Sequence, residues 1–326
     1  MDYEKTKFLP EDIYSFLGQI VGVRSNADYI LEYLRSMYGR FYLGTADQFY
    51  IQPNPGVVRP RHTVHIIDNL DDSNELLFDD KYHLYRFSRS GANSRLSYQN
   101  LRAPDSTRSY FLEFYDPLTL IASALLRTIS ILAKDFLLIH AGAVSLNDQG
   151  IIFPAPSEMG KTTLVLKLVM LGFGFISDEV ACISTNRRVL EPFPRKVNIR
   201  EPSQELLGLS LAKGNTPYPF SSEAWEWSVD IEDITPAIIS SACKPHYMVF
   251  LRGFGDKPRL DKLASSNALF ELLEHTVDPI NDPPRYLFGL ADLLNDIECY
   301  SLVIGELNET AALVMELTEL PKGQKR

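Results

Sequence analysis

One stretch constrains the rest of the chain: Gly150-Ile151-Ile152-Phe153, then Pro154-Ala155-Pro156-Ser157-Glu158-Met159, then Gly160-Lys161-Thr162-Thr163. The apolar run reads as a buried strand and the Pro/Ser segment as a turn. Leu164, Leu168 and Leu171 then recur at helical spacing. Strand, turn and a helix opening on Gly-Lys-Thr is the setting in which G-x-x-x-x-G-K-[ST] binds phosphate. The N–H groups of a helix's first turn lack intrahelical partners, and the positive end of its dipole lies there, so the start attracts anions. In that layout Lys161 reaches the terminal phosphates and the Thr162 hydroxyl faces Mg²⁺. Ser157, Glu158, Met159, Gly160, Lys161, Thr162 and Thr163 are therefore the candidate residues for ATP, or another nucleoside triphosphate, with Mg²⁺.

The window departs from the pattern at its first position, where Ala155 stands for glycine. That exchange requires φ below zero, because only glycine visits positive φ freely. Glu158 puts a carboxylate in a loop meant for phosphate, so it must point to solvent. Read without its flanks, the segment is an ordinary helix start with a chance Gly-Lys-Thr.

Downstream, Phe173 to Ile176 reads as a second short buried strand ending in Ser177-Asp178-Glu179. Two adjacent carboxylates at a strand end suit a base role and a metal role: one accepts a proton from a hydroxyl while the other helps hold Mg²⁺. Upstream, His140 interrupts the apolar run Leu137 to Gly142. A lone histidine in such a run is more often a core residue than a functional one.

Taken together, "IHAGAV", a loop ending "GKTT", and "ISDE" resemble the HPr kinase/phosphorylase superfamily, which is structurally akin to phosphoenolpyruvate carboxykinases. The likeness is greatest to the HPr-kinase-related kinases found with peptide-tailoring genes, including those acting on the terminal serine of lasso precursor peptides. Pro192 to Arg195, Asn198 to Glu201 and Val249 to Gly253 extend it, so it covers about Phe136 to the C-terminus. The resemblance implies Asp178 as base for the acceptor hydroxyl, Lys161 at the nucleotide, and Thr162, Asp178 and Glu179 at the metal. It places His140 near the transferred phosphate, and Arg195 and Arg200 as clamps on phosphate or acceptor carboxylate, a task suited to guanidinium. Where the family has Glu-Ile-Arg-Gly this chain has Asn198-Ile199-Arg200-Glu201, and no counterpart of the loop tied to the phosphorylase reaction is found. The first leaves the family's second metal carboxylate absent or displaced, and the second favours a kinase-only reading.

A chain of 326 residues allows one large domain or two. The expected architecture is mixed α/β: a smaller α+β N-terminal domain over residues 1–130, and an HPr-kinase-like domain with a twisted mixed sheet over 131–326. Net charge of −10 argues against nucleic-acid and anionic-membrane partners. Cys182, Cys243 and Cys299 lie far apart in apolar runs without metal-ligand spacing, as buried thiols of a reducing compartment. The N-terminus has no signal pattern and no apolar run reaches about 18 residues, so the expected location is cytoplasmic.

Along the chain, residues 1–20 read as a lead-in, Phe49-Tyr50-Ile51 as a strand, and 203–236 as one long excursion over the site mouth. His65 and His83 read as structural, and Asn308-Glu309-Thr310 as the cap of the last helix. The function expected is ATP/Mg-dependent phosphoryl transfer to a serine-type hydroxyl on a peptide, protein or small molecule. A homo-oligomer is compatible with the family. The alternative is a non-catalytic nucleotide-binding regulator with a degenerate loop. A decarboxylating carboxykinase is disfavoured by the chain's length.

Overall fold

The computed structural model describes residues 9–51, 60, 62–69, 75–81, 83–90, 93–101, 108–112, 117–211, 226–236, 239–277, 279 and 282–319. It is a mixed α/β protein that divides into two units, with the main boundary between Ala133 and Lys134.

The first unit is built on strands β1 (Glu11–Phe16), β2 (Gln19–Ser25), β3 (Tyr42–Thr45), β4 (His62–Asn69), β5 (Glu75–Asp79), β6 (His83–Ser90), β7 (Asn93–Asn100) and β8 (Arg108–Leu112). Their order is β3-β1-β2-β4-β5-β6-β7-β8, and β2–β4 is the parallel pair. The lead-in expected over residues 1–20 is corrected here, since β1 and β2 form a hairpin through Leu17-Gly18, both at positive φ. Phe49-Tyr50-Ile51 is also corrected: these residues end the helix Ala46–Ile51. Three aromatic or β-branched residues gave too short a window to separate strand from helix. Asp12 is buried in this unit and held by both Nε and Nη2 of Arg35, at 2.7 and 2.9 Å. His65 and His83 are buried, and His83 Nδ1 lies 3.2 Å from Asp80 Oδ2.

The second unit carries β9 (Phe136–Leu146), β10 (Gln149–Pro154), β11 (Gly174–Ser177), β12 (Val180–Ser184), β13 (Val189–Glu191), β14 (Val197–Arg200), β15 (Glu226–Val229), β16 (Lys244–Phe254), β17 (Arg259–Lys262) and β18 (Glu298–Ile304). The main sheet runs β13-β12-β9-β10-β16-β18-β17, with β11 also on β9, while β14 and β15 pair separately. The pairs β10–β16 and β16–β18 are parallel and the others antiparallel, so the sheet is mixed.

Side chains alternate across this sheet with period two. Ile151, Phe153, Val249, Leu251, Leu302 and Ile304 share one core with Leu164, Val165 and Leu168 of the helix Lys161–Met170 and with Val314 of the helix Leu307–Glu319. Ile152, Met248, Phe250 and Cys299 face the other way, onto Ala268 and Leu272 of the helix Ser265–Glu274 and Tyr286, Leu290 and Leu294 of the helix Pro283–Asp296. Helices thus cover both faces, as the parallel central strands require. The three cysteines are buried and free.

The long excursion expected over 203–236 is partly replaced by structure. The helix Glu201–Leu207, β15 and the short helix Ile231–Ile234 occupy it, and Trp227 is a buried core residue. Residues 212–225, with Trp225 and Tyr218 to Phe220, lie outside the described residues. The cap of the last helix is also corrected: Glu306 Oε2 accepts from the Glu309 N–H at 2.9 Å, and Asn308 is already helical. No described helix is long and apolar enough to cross a membrane, which says nothing of a β-barrel.

Candidate active site

Strand register brings the site together. Pro154, the last residue of β10, pairs with Ala141 on β9, so the turn that follows begins one residue from His140. On the other edge of β9, β11 and β12 pair in succession, and the two residues between them are Asp178 and Glu179. The gap is held by Ser177, whose hydroxyl accepts from the N–H groups of Glu179 (3.3 Å) and Val180 (3.1 Å), while the Ala141 N–H donates to the Glu179 carbonyl (3.1 Å). The break between β11 and β12 places both acidic residues beside β9, next to His140.

The turn itself uses positive φ twice. Glu158 sits at φ 69° and Gly160 at φ 78°, after which the helix begins at Lys161 with Leu164 N–H bonded to Gly160 carbonyl at 3.0 Å. Ala155 is fully buried and not at positive φ, which is the condition under which alanine replaces glycine. Glu158 is 71% exposed at its side chain, and its Oε1 accepts from Arg200 Nη1 at 2.5 Å. Its carboxylate therefore points out of the turn and is matched by a guanidinium.

His140 belongs to the β9 face that carries Gly142 and Val144, and Val144 shares its core with the helix Lys161–Met170. Gly142 lets this helix come close: a Cβ there would fall 2.6 Å from Val165 Cγ2 and 3.1 Å from Lys161 Cγ. Lys161 consequently runs along the strand, only 7% exposed, and its Nζ lies 2.7 Å from His140 Nε2. Burial pulls the Lys161 ammonium below its ordinary value, while Glu179 and Asp178 oppose that.

A chain of polar contacts continues from there. His140 Nδ1 is 3.4 Å from Glu179 Oε1, and Glu179 Oε2 accepts from Arg195 Nη2 at 2.9 Å. Burial alone would raise Glu179, but the Arg195 guanidinium and His140 hold its carboxyl well below the usual carboxylate range. Asp178 behaves oppositely. It is 2% exposed, its Oδ1 has no hydrogen-bond partner, and burial pushes its carboxyl up to about 6 despite the pull of Arg195. Neighbouring carboxylates pushed apart in this way are suited to different roles, one a fixed charge and the other a proton acceptor near neutral pH.

Asp178, Glu179, His140, Lys161 and Arg195 are thus joined through the contacts and charges just described. Thr162 stands half-buried in the first helical turn, and Thr163 Oγ1 bonds Ser203 Oγ at 2.8 Å. Ser157 and Met159 complete the turn, with Met159 packed against the core. Arg200 is engaged with Glu158 on the turn's outer side. Among the described residues no group of three or more His, Cys, Asp and Glu side chains is placed to hold a metal ion. Glu179 directs both oxygens at His140 and Arg195, which leaves Asp178 Oδ1 as the unpartnered carboxylate atom of the pair. A Mg²⁺ that arrives with a nucleotide takes only one or two protein ligands, so this donor set fits that ion.

Sequence reasoning missed His275 and Gly142. His275 accepts the His140 N–H at its carbonyl (2.6 Å), beside β9 where β10 has ended. Burial lowers its imidazole below the ordinary value, helped by His140 and Lys161. No local signal marks it, because it reaches the site through tertiary pairing. No protein-family model matches the chain, and no curated protein matches it.

Proposed function

We propose that this chain transfers the terminal phosphoryl group of Mg²⁺-bound ATP, or another nucleoside triphosphate, to a serine-type hydroxyl on a peptide, protein or small molecule. The observation that carries the reading is the buried Asp178, with one oxygen unpartnered, beside a Lys161–His140–Glu179–Arg195 relay at the start of a helix. Phosphoryl transfer needs little covalent chemistry from protein; it needs positive groups on the phosphate oxygens and a base at the nucleophile. Lys161 supplies charge to the terminal phosphates, with the first-turn N–H groups beside it. Asp178 takes the proton of the acceptor hydroxyl as its oxygen bonds phosphorus and the bond to the departing diphosphate breaks. Arg195, held by Glu179, and His140, held by Lys161 and Glu179, flank the transferred group. The Thr162 hydroxyl and a carboxylate of the Asp178–Glu179 pair would hold Mg²⁺, which supplies neutralisation of phosphate charge. On this reading the second unit is an HPr-kinase-like catalytic domain with a phosphate-binding loop, and Glu179 serves chiefly to orient its neighbours.

The test is transfer of labelled γ-phosphate to serine-containing peptides by wild type and Asp178→Asn. The reading expects transfer that is lost in the variant while nucleotide still binds. A non-catalytic nucleotide-binding regulator is favoured instead if nucleotide binds and no acceptor is ever labelled; the Glu158–Arg200 pair across the turn motivates that second reading.

A further inference from the structure

Phe254 is an aromatic residue left open to solvent, with a fractional exposure of 68%, at the end of β16 beside the Gly160 turn. A Cβ built on Gly160 would lie 3.3 Å from Phe254 Cε1 and 3.4 Å from its Cζ, so the ring edge abuts the residue preceding Lys161. The backbone is arranged to put it there. The β16–β18 register breaks between Leu251 and Phe254, and Gly253 takes φ 88° within that break. An irregularity of this kind re-aims the side chain that follows it, and such irregularities are frequent beside active sites. The position is then locked: Phe254 pairs with Ile304, and the Gly255 N–H donates to the Ile304 carbonyl at 2.8 Å. Gly253 also packs within 3.7 Å of Met159 Sδ when given a Cβ, which ties this corner to the turn itself.

An exposed aromatic ring on a fixed backbone next to a phosphate-binding turn has the chemistry to stack a planar heteroaromatic group. On the nucleotide reading above, the phosphates lie at Gly160 to Thr162, and the base of the same ligand must fall within one nucleotide's length of them. We infer that Phe254 is the stacking platform for the nucleobase of the bound nucleoside triphosphate. Stacking is tolerant of base identity because every base offers a π-face, so Phe254 contributes affinity for nucleotides generally and does not by itself choose ATP over GTP.

The inference rests on the nucleotide reading, and the experiment separates the two. Calorimetric Kd values are measured with Mg²⁺ for ATP, ADP and inorganic tripolyphosphate on wild type, Phe254→Ala, Phe254→Trp and Lys161→Ala. Phe254→Ala is expected to weaken ATP and ADP by about tenfold and leave tripolyphosphate unchanged, with Phe254→Trp restoring the nucleotides. Lys161→Ala is expected to weaken all three. Equal ATP affinity in wild type and Phe254→Ala, or equal losses for ATP and tripolyphosphate, overturns the platform and leaves the phosphate site standing. No binding of any of the three to wild type overturns both. A rise in the acceptor's KM without change in nucleotide Kd assigns the ring to the acceptor and overturns the inference as well.

Discussion

Lys161 Nζ lies 2.7 Å from His140 Nε2, so a protonated Lys161 donates to the ring and leaves the imidazole proton on Nδ1, facing Glu179 3.4 Å away. The contact depends on a strand residue and the first residue of a helix, separated by the close approach that Gly142 permits. It fixes the ammonium at the helix start instead of leaving it to sample solvent.

Gly142→Ala tests that approach. The added methyl must displace Val165 and the Lys161 stem, a form of overpacking that costs about 1–3 kcal/mol. The expected outcome is a lowered denaturation midpoint together with weaker nucleotide binding. A variant of unchanged stability and affinity would mean that the helix adjusts freely.

Asp178→Asn tests the buried carboxyl through pH. Its folded pKa of about 6 stands above its ordinary 3.8, so the folded state holds the proton more tightly than the unfolded chain. Below about pH 4 both states are protonated and nothing is lost. As pH rises through 4 to 6 the native state loses stability relative to the unfolded one, by up to about 3 kcal/mol above pH 6. Arg195 and Lys161 face this carboxyl and temper the penalty, while Glu179 adds to it. Without metal or nucleotide, Asp178→Asn should melt above wild type at pH 8, with the gap closing by about pH 4. A variant less stable at pH 8 would place Asp178 among the stabilising groups.

Glu158→Gly tests the turn. A non-glycine residue at φ 69° carries roughly 1–2 kcal/mol of strain, and the exposed pair with Arg200 returns about 0–1 kcal/mol. The variant should be as stable as wild type or slightly more so, with nucleotide affinity and activity equal or higher. A large loss of either would give the Glu158–Arg200 pair a positive role.

Much of the second unit was legible because its signals are local. The run Gly150 to Phe153, the helix after Gly160 and the strand before Asp178 each carry their own periodicity or breaker residues. Ala155 and Glu158 were also interpretable, since backbone sterics and charge left each one conformational option. Most of the rest depended on distance in sequence. Nothing near Arg188 announces that, on its exposed turn, it meets Asp292 and Asp296, each at 2.6 Å. Nothing near Arg195 names Glu179, and Phe254 is aimed by a register break that depends on β18. In the first unit β1 and β2 were overlooked because Leu17-Gly18 lacks the Asn-Gly or Asp-Gly of the strongest hairpin turns.

The most direct test of the central claim is thermal unfolding of wild type and Lys161→Ala with Mg²⁺ plus ATP, ADP, GTP or no nucleotide. A ligand that binds the native state raises Tm by mass action. The account predicts a rise with ATP in wild type that Lys161→Ala loses, its affinity falling at least roughly tenfold with the fixed charge at the terminal phosphates. A wild type whose Tm no nucleotide moves, or a Lys161→Ala shift equal to that of wild type, would contradict it.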